Sequence, residues 1–384
     1  MSDSTAELGR RIETACRNAV DSAKSLTEAL QACEGLFPTL AVQKFFEIDR
    51  ARTQLWLGQA ATDTEQLTTE TGNNSSFVLS TWEFREDQIK SLSSVAWRPG
   101  SRVCLLGTPS LVRHLPIVSR AGPHILVDLR APASGLPNNV IHLAYDINSL
   151  NGRELAGAFD ACFLDPPWYV ENYLKWIDVA RSYCHDGGTI AFALLGRLTR
   201  PSAVDDREQI LQHCSASGLS VEVYKERVLY KPPAFERHML RRAGIPSVFW
   251  KRADLVIATC NHENVLQNRS APAVQLIPFN QTHLAGITIE VVFDRYEQDI
   301  QENLLVPQGG YWMQTPSRRE PGLKDCNVFT SNGARFISPR PIDLFGALVS
   351  LQQADSRSIR DRVGSLGFPL EVFGDRLGVF EHAL

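Results

Sequence analysis

Apolar positions in the first 35 residues fall at Leu8, Ile12, Cys16, Ala19, Ala23, Leu26, Leu30 and Cys33, three or four apart, the spacing of one helix face. Ser4 and Glu7 stand ahead of that face at the S-x-x-E spacing of a capping box, so the pattern predicts one long amphipathic helix. A second helical run covers about Leu40 to Gln59, and the polar, turn-rich stretch 62–76 (TDTEQLTTETGNNSS) then breaks the periodicity. From residue 77 the rhythm changes to short β-branched runs alternating with helical stretches, the pattern of an α/β domain with a largely parallel sheet. The predicted strands are Arg102 to Leu106, His124 to Asp128, Val140 to Ala144, Phe159 to Leu164, Thr189 to Leu195, Ser220 to Tyr224 and Asp254 to Thr259. The predicted helices between them include Thr108 to Ser119, Val170 to Tyr183 and Ser202 to Ser217, the last stopping at Gly218. After residue 260 the pattern is irregular and β-leaning, with an apolar run at Ile287 to Phe293 and a Gly/Pro-rich stretch at Val306 to Gly322. The expected organisation is an N-terminal helical region (1–76), an α/β domain with a seven-stranded, mostly parallel sheet (77–260) and a mixed C-terminal accessory domain (261–384) whose fold the pattern does not name.

A length of 384 residues fits two or three such units. Lys and Arg number 39 against 43 Asp and Glu, a net charge of −4, so any attraction to a polyanion must come from a local face. No stretch approaches the run of about 18 apolar residues that a membrane span needs, and residues 1–10 lack a signal-peptide apolar region; the expectation is a cytoplasmic protein with no membrane partner. The eight cysteines are scattered with no C-x-x-C pair, which speaks against a zinc site and for buried thiols in a reducing compartment. The P-loop, zincin and nucleophile-elbow signatures are all missing from the sequence.

Ligands of a doubly wound sheet bind outside the carboxyl ends of its strands, and here those ends carry chemistry. The first is followed by Gly107-Thr108-Pro109-Ser110, the second by Asp128, the third by Tyr145-Asp146-Ile147-Asn148 and the fourth by Asp165-Pro166-Pro167-Trp168-Tyr169. This constellation suits S-adenosylmethionine. A glycine turn entering a helix brings backbone N–H groups to a carboxylate, an acid at the second strand end accepts from ribose hydroxyls, and Asp146 can accept from the adenine amine. Gly107, Thr108, Pro109, Ser110, Asp128 and Asp146 are therefore the candidate cofactor residues, although lone acids after strands are also common turn and cap residues.

The tetrapeptide Asp-Pro-Pro-aromatic is expected by chance on the order of once in a few hundred chains of this length. It suits methylation of an amine conjugated to a ring. The Asp165 carboxylate and the Pro166 carbonyl can accept the two amine N–H bonds and hold nitrogen in line with a methyl sulfonium. Pro166 and Pro167 fix the backbone that carries these acceptors, and Trp168 offers a face for a planar base, a contact worth about 1–3 kcal/mol in single-strand binders. The displacement needs no metal. The alternative reading of the motif is a rigid turn beside a buried Trp.

Segment 77–260 resembles the probable N(6)-adenine methyltransferase family, whose eukaryotic members include lysine methyltransferases of a translation elongation factor. The resemblance rests on Ser80-Thr81-Trp82-Glu83-Phe84, Thr108-Pro109-Ser110, Asp128-Leu129-Arg130, Tyr145-Asp146-Ile147-Asn148 and Asp165-Pro166-Pro167-Trp168, in the family's order. It implies a Rossmann-like sheet of methyltransferase type, S-adenosylmethionine as cofactor, and transfer to an amino nitrogen of a nucleobase or of lysine. It covers about half of the chain, and the regions before 77 and after 260 are additions to it. Branched-polyamine synthases also use an acid-Pro-Pro turn on this fold to bind amines; beyond the turn nothing in the sequence resembles them.

Between Lys225 and Arg252 lie eight Lys and Arg against two acids, interleaved with Tyr224, Tyr230, Phe235, Phe249 and Trp250. Such interleaving is what a phosphate-tracking, base-stacking surface requires, and a solvated helix face beside core aromatics is its plainer explanation. Tyr169, Lys231, Arg237, Arg241 and Arg242 are the candidate substrate-binding residues. The expected acceptor is adenine N6 in DNA or RNA, reached by base flipping or in a single strand. The alternatives are a protein lysine, with Trp168 acting through cation–π contact, and an inactive methyltransferase-like subunit that binds nucleic acid or a partner. Tyr311-Trp312 and Arg335 with Arg340 are a further candidate surface, and the N-terminal amphipathic helix offers a face for oligomerisation.

Overall fold

In the computed structural model, which describes residues 2–63, 83–116, 122–129, 135–150, 155–246, 248–261, 279–284, 287–292, 326–330, 334–352 and 356–373, the N-terminal apolar face is carried by two helices, α1 (Ser2–Ser22) and α2 (Leu26–Ala32). The single long helix expected here is interrupted because Ser25 caps a new one. Its hydroxyl accepts the Glu28 N–H at 3.2 Å, and the Glu28 carboxylate accepts the Lys24 N–H at 2.8 Å. The S-x-x-E spacing at 25–28 is a helix start in the middle of a continuous apolar stripe. The second helical run is likewise two helices, α3 (Pro38–Ile48) and α4 (Arg50–Asp63), separated by the extended Asp49. Cys16, Ala19, Leu26, Leu30, Cys33 and Phe45 are buried between them.

The described residues fall into two compact units, the first drawn from 1–60, 83–231 and 248–276 and the second from 61–82, 232–247 and 277–384. The N-terminal helices thus share a unit with the α/β sheet. That unit holds β1 (Glu83–Phe84), α5 (Glu86–Ala96), β2 (Val103–Leu106), β3 (His124–Val127), β4 (Val140–Leu143), β5 (Phe159–Leu164), α6 (Val170–Tyr183), β6 (Cys184–Leu194), α7 (Ala203–Ala216), β7 (Leu219–Lys231) and β8 (Arg252–Cys260). The sheet order is β1-β7-β8-β6-β5-β2-β3-β4. The pairs from β4 to β6 are parallel, and β8 runs antiparallel between β6 and β7. This is the mostly parallel, Rossmann-like sheet that the strand pattern predicts, with β1 added antiparallel at the edge of β7.

The buried strands read as continuous apolar runs because helices cover both faces. Every residue of β2 and β3 is buried, and so are Tyr173, Ile177 and Ala180 of α6, which packs on them. Gly218 ends α7 at φ +73°, a conformation glycine takes without a Cβ penalty. The helix expected at Thr108 to Ser119 is instead a short 3-10 helix, Pro109–His114. Pro116 lacks an N–H and pushes Leu115 to φ −63°, ψ 151°, which halts any helix there. All eight cysteines are buried and none forms a disulfide, as expected.

The second unit contains α8 (Ala234–Arg242), the antiparallel sheet β12-β11-β10-β9 built from β9 (Phe279–Leu284), β10 (Ile287–Val292), β11 (Val328–Thr330) and β12 (Arg335–Phe336), and helices α9 (Pro341–Ser350) and α10 (Ser356–Ser365). Ile289, Val291, Phe336, Leu344, Leu348 and Val363 form its core. The apolar run at Ile287 is a strand, as its pattern predicts. Thr81, Trp82, Arg130, Tyr311 and Trp312 lie outside the described residues.

Candidate active site

Three strand ends are tied together by one indole. Gly107 follows β2 at φ +67°, and its N–H donates to the Val127 carbonyl at 2.9 Å. A Cβ at this position would lie 2.7 Å from the six-membered ring of Trp176 on α6, so the close approach requires glycine. Trp176 Nε1 donates to Asn148 Oδ1 at 2.9 Å, and Asp146 Oδ1 accepts both the backbone and side-chain N–H of Asn148 at 3.0 and 3.1 Å. Asp146 therefore caps the turn 147–149, the plainer of the two roles its position allows. Asp128 stands half-buried at the end of β3, its N–H bonded to Leu143 O at 3.2 Å. Thr108 is buried, with no hydrogen-bond partner for its hydroxyl among the described residues. Pro109 and Ser110 begin the 3-10 helix beside it.

The fourth strand end sits between aromatic rings. The Asp165 N–H reaches Leu106 O at 3.4 Å, and its Oδ1 accepts the Tyr230 hydroxyl at 2.7 Å. Tyr230 comes from the far end of β7, where Phe84 of β1 pairs with it and stacks at 5.3 Å between centroids. Trp168 meets Tyr230 edge-on at 5.8 Å. The Lys251 ammonium stands over both rings, 4.0 Å from the Trp168 centroid and 4.9 Å from that of Tyr230, close enough for a substantial cation–π attraction. Pro166 is buried, Pro167 and Tyr169 half-buried. Arg200 donates to the Trp168 carbonyl, pairs with Asp206 at 2.7 Å and lies over the Tyr169 ring at 5.6 Å.

The electrostatics follow from this packing. Asp165 retains a little exposed surface, but its carboxyl group lies deep. Burial pushes it up to about 7, against the Tyr230 hydrogen bond and the Lys251 charge, which both favour the carboxylate. Burial and the neighbouring Asp165 together hold Tyr230 well above the ordinary phenol range, so it remains a donor.

A third segment closes on Trp168 from the N-terminal helices. Gly35 follows α2 at φ +88°, with its absent Cβ position 3.8 Å from Trp168 Cζ3 and 2.7 Å from Thr199 Cγ2. Gln31 Nε2 donates to Phe249 O at 2.6 Å, and Phe37 meets Trp250 edge-on at 5.7 Å.

Of the residues expected from sequence, Gly107, Thr108, Asp128 and Asp146 stand at neighbouring strand ends, and Asp165, Pro166, Pro167 and Trp168 at the adjacent one. Lys231 ends β7 opposite Glu83. Arg237, Arg241 and Arg242 stand on α8, in the second unit, so the basic segment 225–252 is divided between the two units. Sequence reasoning placed Tyr230 and Lys251 only in that basic segment and gave Trp176 and Gly35 no role. The usable signal for Tyr230 was the short apolar run Val228-Leu229-Tyr230 after a charged run.

No family model matches the chain, and no curated protein matches it. Among solved structures, it is similar to a mutein of the branched-chain polyamine synthase of Thermus thermophilus in complex with N4-aminopropylspermidine and 5'-methylthioadenosine, at 14% identity over 69% of this chain and 90% of that one, TM-score 0.50. The synthase itself matches at 12% identity over 69% and 91%, TM-score 0.47. An S-adenosylmethionine-dependent O-methyltransferase of Thermotoga maritima matches at 17% identity over 48% and 69%, TM-score 0.34. The first of these likenesses supports the fold, a Rossmann-like α/β domain of methyltransferase type.

Proposed function

We propose that the chain is an S-adenosylmethionine-dependent transferase that moves a methyl group to an amine nitrogen held at Asp165, with a primary alkyl amine as acceptor. One observation carries the reading: an ammonium, that of Lys251, already rests on the faces of Trp168 and Tyr230 in the field of a deeply set carboxylate. An incoming alkyl ammonium would exchange with it charge for charge, while the lysine side chain is long enough to leave.

The residues at the other strand ends fit the donor. The buried Thr108 hydroxyl, which has no hydrogen-bond partner among the described residues, is a polar atom that the donor would satisfy. Gly107, Ser110, Asp128 and Asp146 are the other residues that would hold it. When bound, the donor supplies an electrophilic methyl on a sulfonium. An alkyl amine reaches the pocket protonated and must lose that proton before it can attack. Asp165, pushed up to about 7, is matched to accept it near neutral pH. Tyr230 fixes the carboxylate by donating to Oδ1, which leaves Oδ2 for the amine, and the Pro166 carbonyl is the second acceptor one residue on. The amine reading rests on these residues and not on the polyamine named in the complex of the similar synthase.

Adenine N6 in nucleic acid is the second reading. It is supported by the planar Trp168 and by Lys225 and Arg227, exposed on β7, the strand that carries Tyr230. A stacked base would have to displace Lys251 from the ring face it covers. Incubation with methyl-labelled donor and either spermidine or single-stranded oligodeoxyadenylate separates the two: label in the amine supports the first, and label in the oligonucleotide alone sinks it.

A further inference from the structure

We infer that the turn 33–37 is the outer wall of the acceptor pocket and that Gly35 sets how wide an acceptor fits against Trp168. The inference rests on the acceptor reading above and adds that the N-terminal helices, absent from the resembled family segment, determine specificity.

The wall is a contact of backbone on backbone. A Cβ on Gly196 would lie 2.1 Å from the Glu34 carbonyl oxygen, and one on Gly35 would lie 3.5 Å from Gly196 Cα. Gly196 is needed for the two segments to approach so closely, and Gly35 for its φ of +88° and its approach to Thr199 Cγ2. Glu34 itself takes φ +42°, the one non-glycine residue at positive φ among the described residues, a conformation that persists only when its surroundings impose it. Here they do. Leu198 N–H donates to the Glu34 carbonyl at 3.2 Å, and Arg197 approaches the Glu34 carboxylate at 3.8 Å.

The turn is also fixed to the segment that carries Lys251, through Gln31 to Phe249 and Phe37 to Trp250. Trp168 is thus bounded on three sides. Lys251 covers a face, Tyr230 meets the ring edge-on, and the Gly35 backbone stands by the Cζ3 edge. With Lys251 over a face of Trp168 and Gly35 beside its Cζ3 edge, an acceptor that takes the place of the Lys251 ammonium is expected to meet the turn when it is broader than an alkyl chain. The chemistry so selected is a slim linear amine.

Width is tested with two primary amines of different breadth, spermidine and tryptamine, by kcat/KM for methyl transfer in the full-length protein, with donor affinity measured by calorimetry. Wild type is expected to prefer spermidine at least tenfold. Thr199→Ser removes the Cγ2 nearest Gly35 and keeps the hydroxyl that donates to Gly196 O; it is expected to reduce the preference at least threefold with donor affinity unchanged. Gly35→Ala is expected to raise KM for both amines about tenfold, and Thr199→Ser in the same chain to restore part of it. A wild type active on spermidine whose preference is unchanged in Thr199→Ser would overturn the wall while leaving the transferase reading intact. Transfer to neither amine by a wild type that binds the donor would overturn both. Should Gly35→Ala not fold, Thr199→Ser alone decides.

Discussion

The hydroxyl of Tyr230 donates to Oδ1 of Asp165 at 2.7 Å across 65 positions of sequence. The bond joins the residue after β5, a central parallel strand, to the end of β7, three strands away across the sheet, and it favours the charged form of a carboxyl that burial would otherwise keep protonated. Tyr230→Phe retains the ring that packs on Phe84 and Trp168 and removes only the donor. A hydrogen bond to a charged group contributes about 1.5–3 kcal/mol, so the base limb of the pH–rate profile is expected to move up by about one unit or more. Turnover at pH 7 should fall roughly tenfold, with little change in donor affinity. A profile that keeps its midpoint would show that Asp165 is not the titrating group.

Asp165 also makes stability depend on pH with a definite sign. Its folded value is about 7 against an ordinary 3.8, so between those values the folded protein holds a proton that the unfolded chain has released. Stability therefore falls as pH rises through that window. Asp165→Asn lacks the titrating group, and Lys251, Tyr230 and Tyr173, the charged and phenolic groups acting on or sensing Asp165, are common to both proteins. The variant is expected to gain on wild type from pH 4 to pH 8, by up to about 4 kcal/mol in urea unfolding. A constant difference across the range would contradict the raised value.

Lys251 distinguishes the two acceptor readings. If its ammonium is the resident occupant of an amine pocket, Lys251→Met removes a competitor and lowers KM for spermidine severalfold. If instead it contacts phosphate, the same change raises KM for an oligonucleotide and steepens no amine response. Steady-state kinetics with both acceptors reads the difference directly.

How far these features were legible in the sequence depended on whether the signal was local. Phe159–Leu164 and Val170–Tyr183 stand where the apolar pattern places them, because an uninterrupted buried run and a helical stripe each carry their own period. Strand β6 begins at Cys184 and not at Thr189, since His185-Asp186-Gly187-Gly188 reads as a turn while the strand continues through it past an irregularity in its pairing with β5. Strand β7 runs on to Lys231 through a register shift between Tyr224 and Val228, where Lys225-Glu226-Arg227 looks like surface loop. The Asp-Pro-Pro-Trp end was visible because it is a contiguous motif. Tyr230 and Lys251 became site residues only through the antiparallel pairing of β7 with β8 beside β6, and Gly35 only through the approach of its turn to Gly196 and Trp168; no local period encodes either.

Gly107 offers a test of the donor end that is independent of the acceptor. Gly107→Ala places a Cβ 2.7 Å from Trp176 at a positive φ. The left-handed conformation costs an L-residue about 1–2 kcal/mol, and overpacking typically adds about 1–3 kcal/mol. The variant is expected to lose roughly 2–5 kcal/mol of stability in urea unfolding and to bind the donor more weakly even where it is fully folded. Donor affinity equal to wild type in the folded variant would place the donor away from this turn.

The central claim is that Asp165 receives the proton of an amine as that amine takes a methyl group. Its most direct test is single-turnover transfer from methyl-labelled S-adenosylmethionine to spermidine, with wild type and Asp165→Asn compared at matched donor occupancy. The account predicts labelled amine from the wild type, and from the variant a rate lower by at least a hundredfold with donor affinity unchanged. Equal rates from the two proteins, or a folded wild type that does not bind the donor, would contradict it.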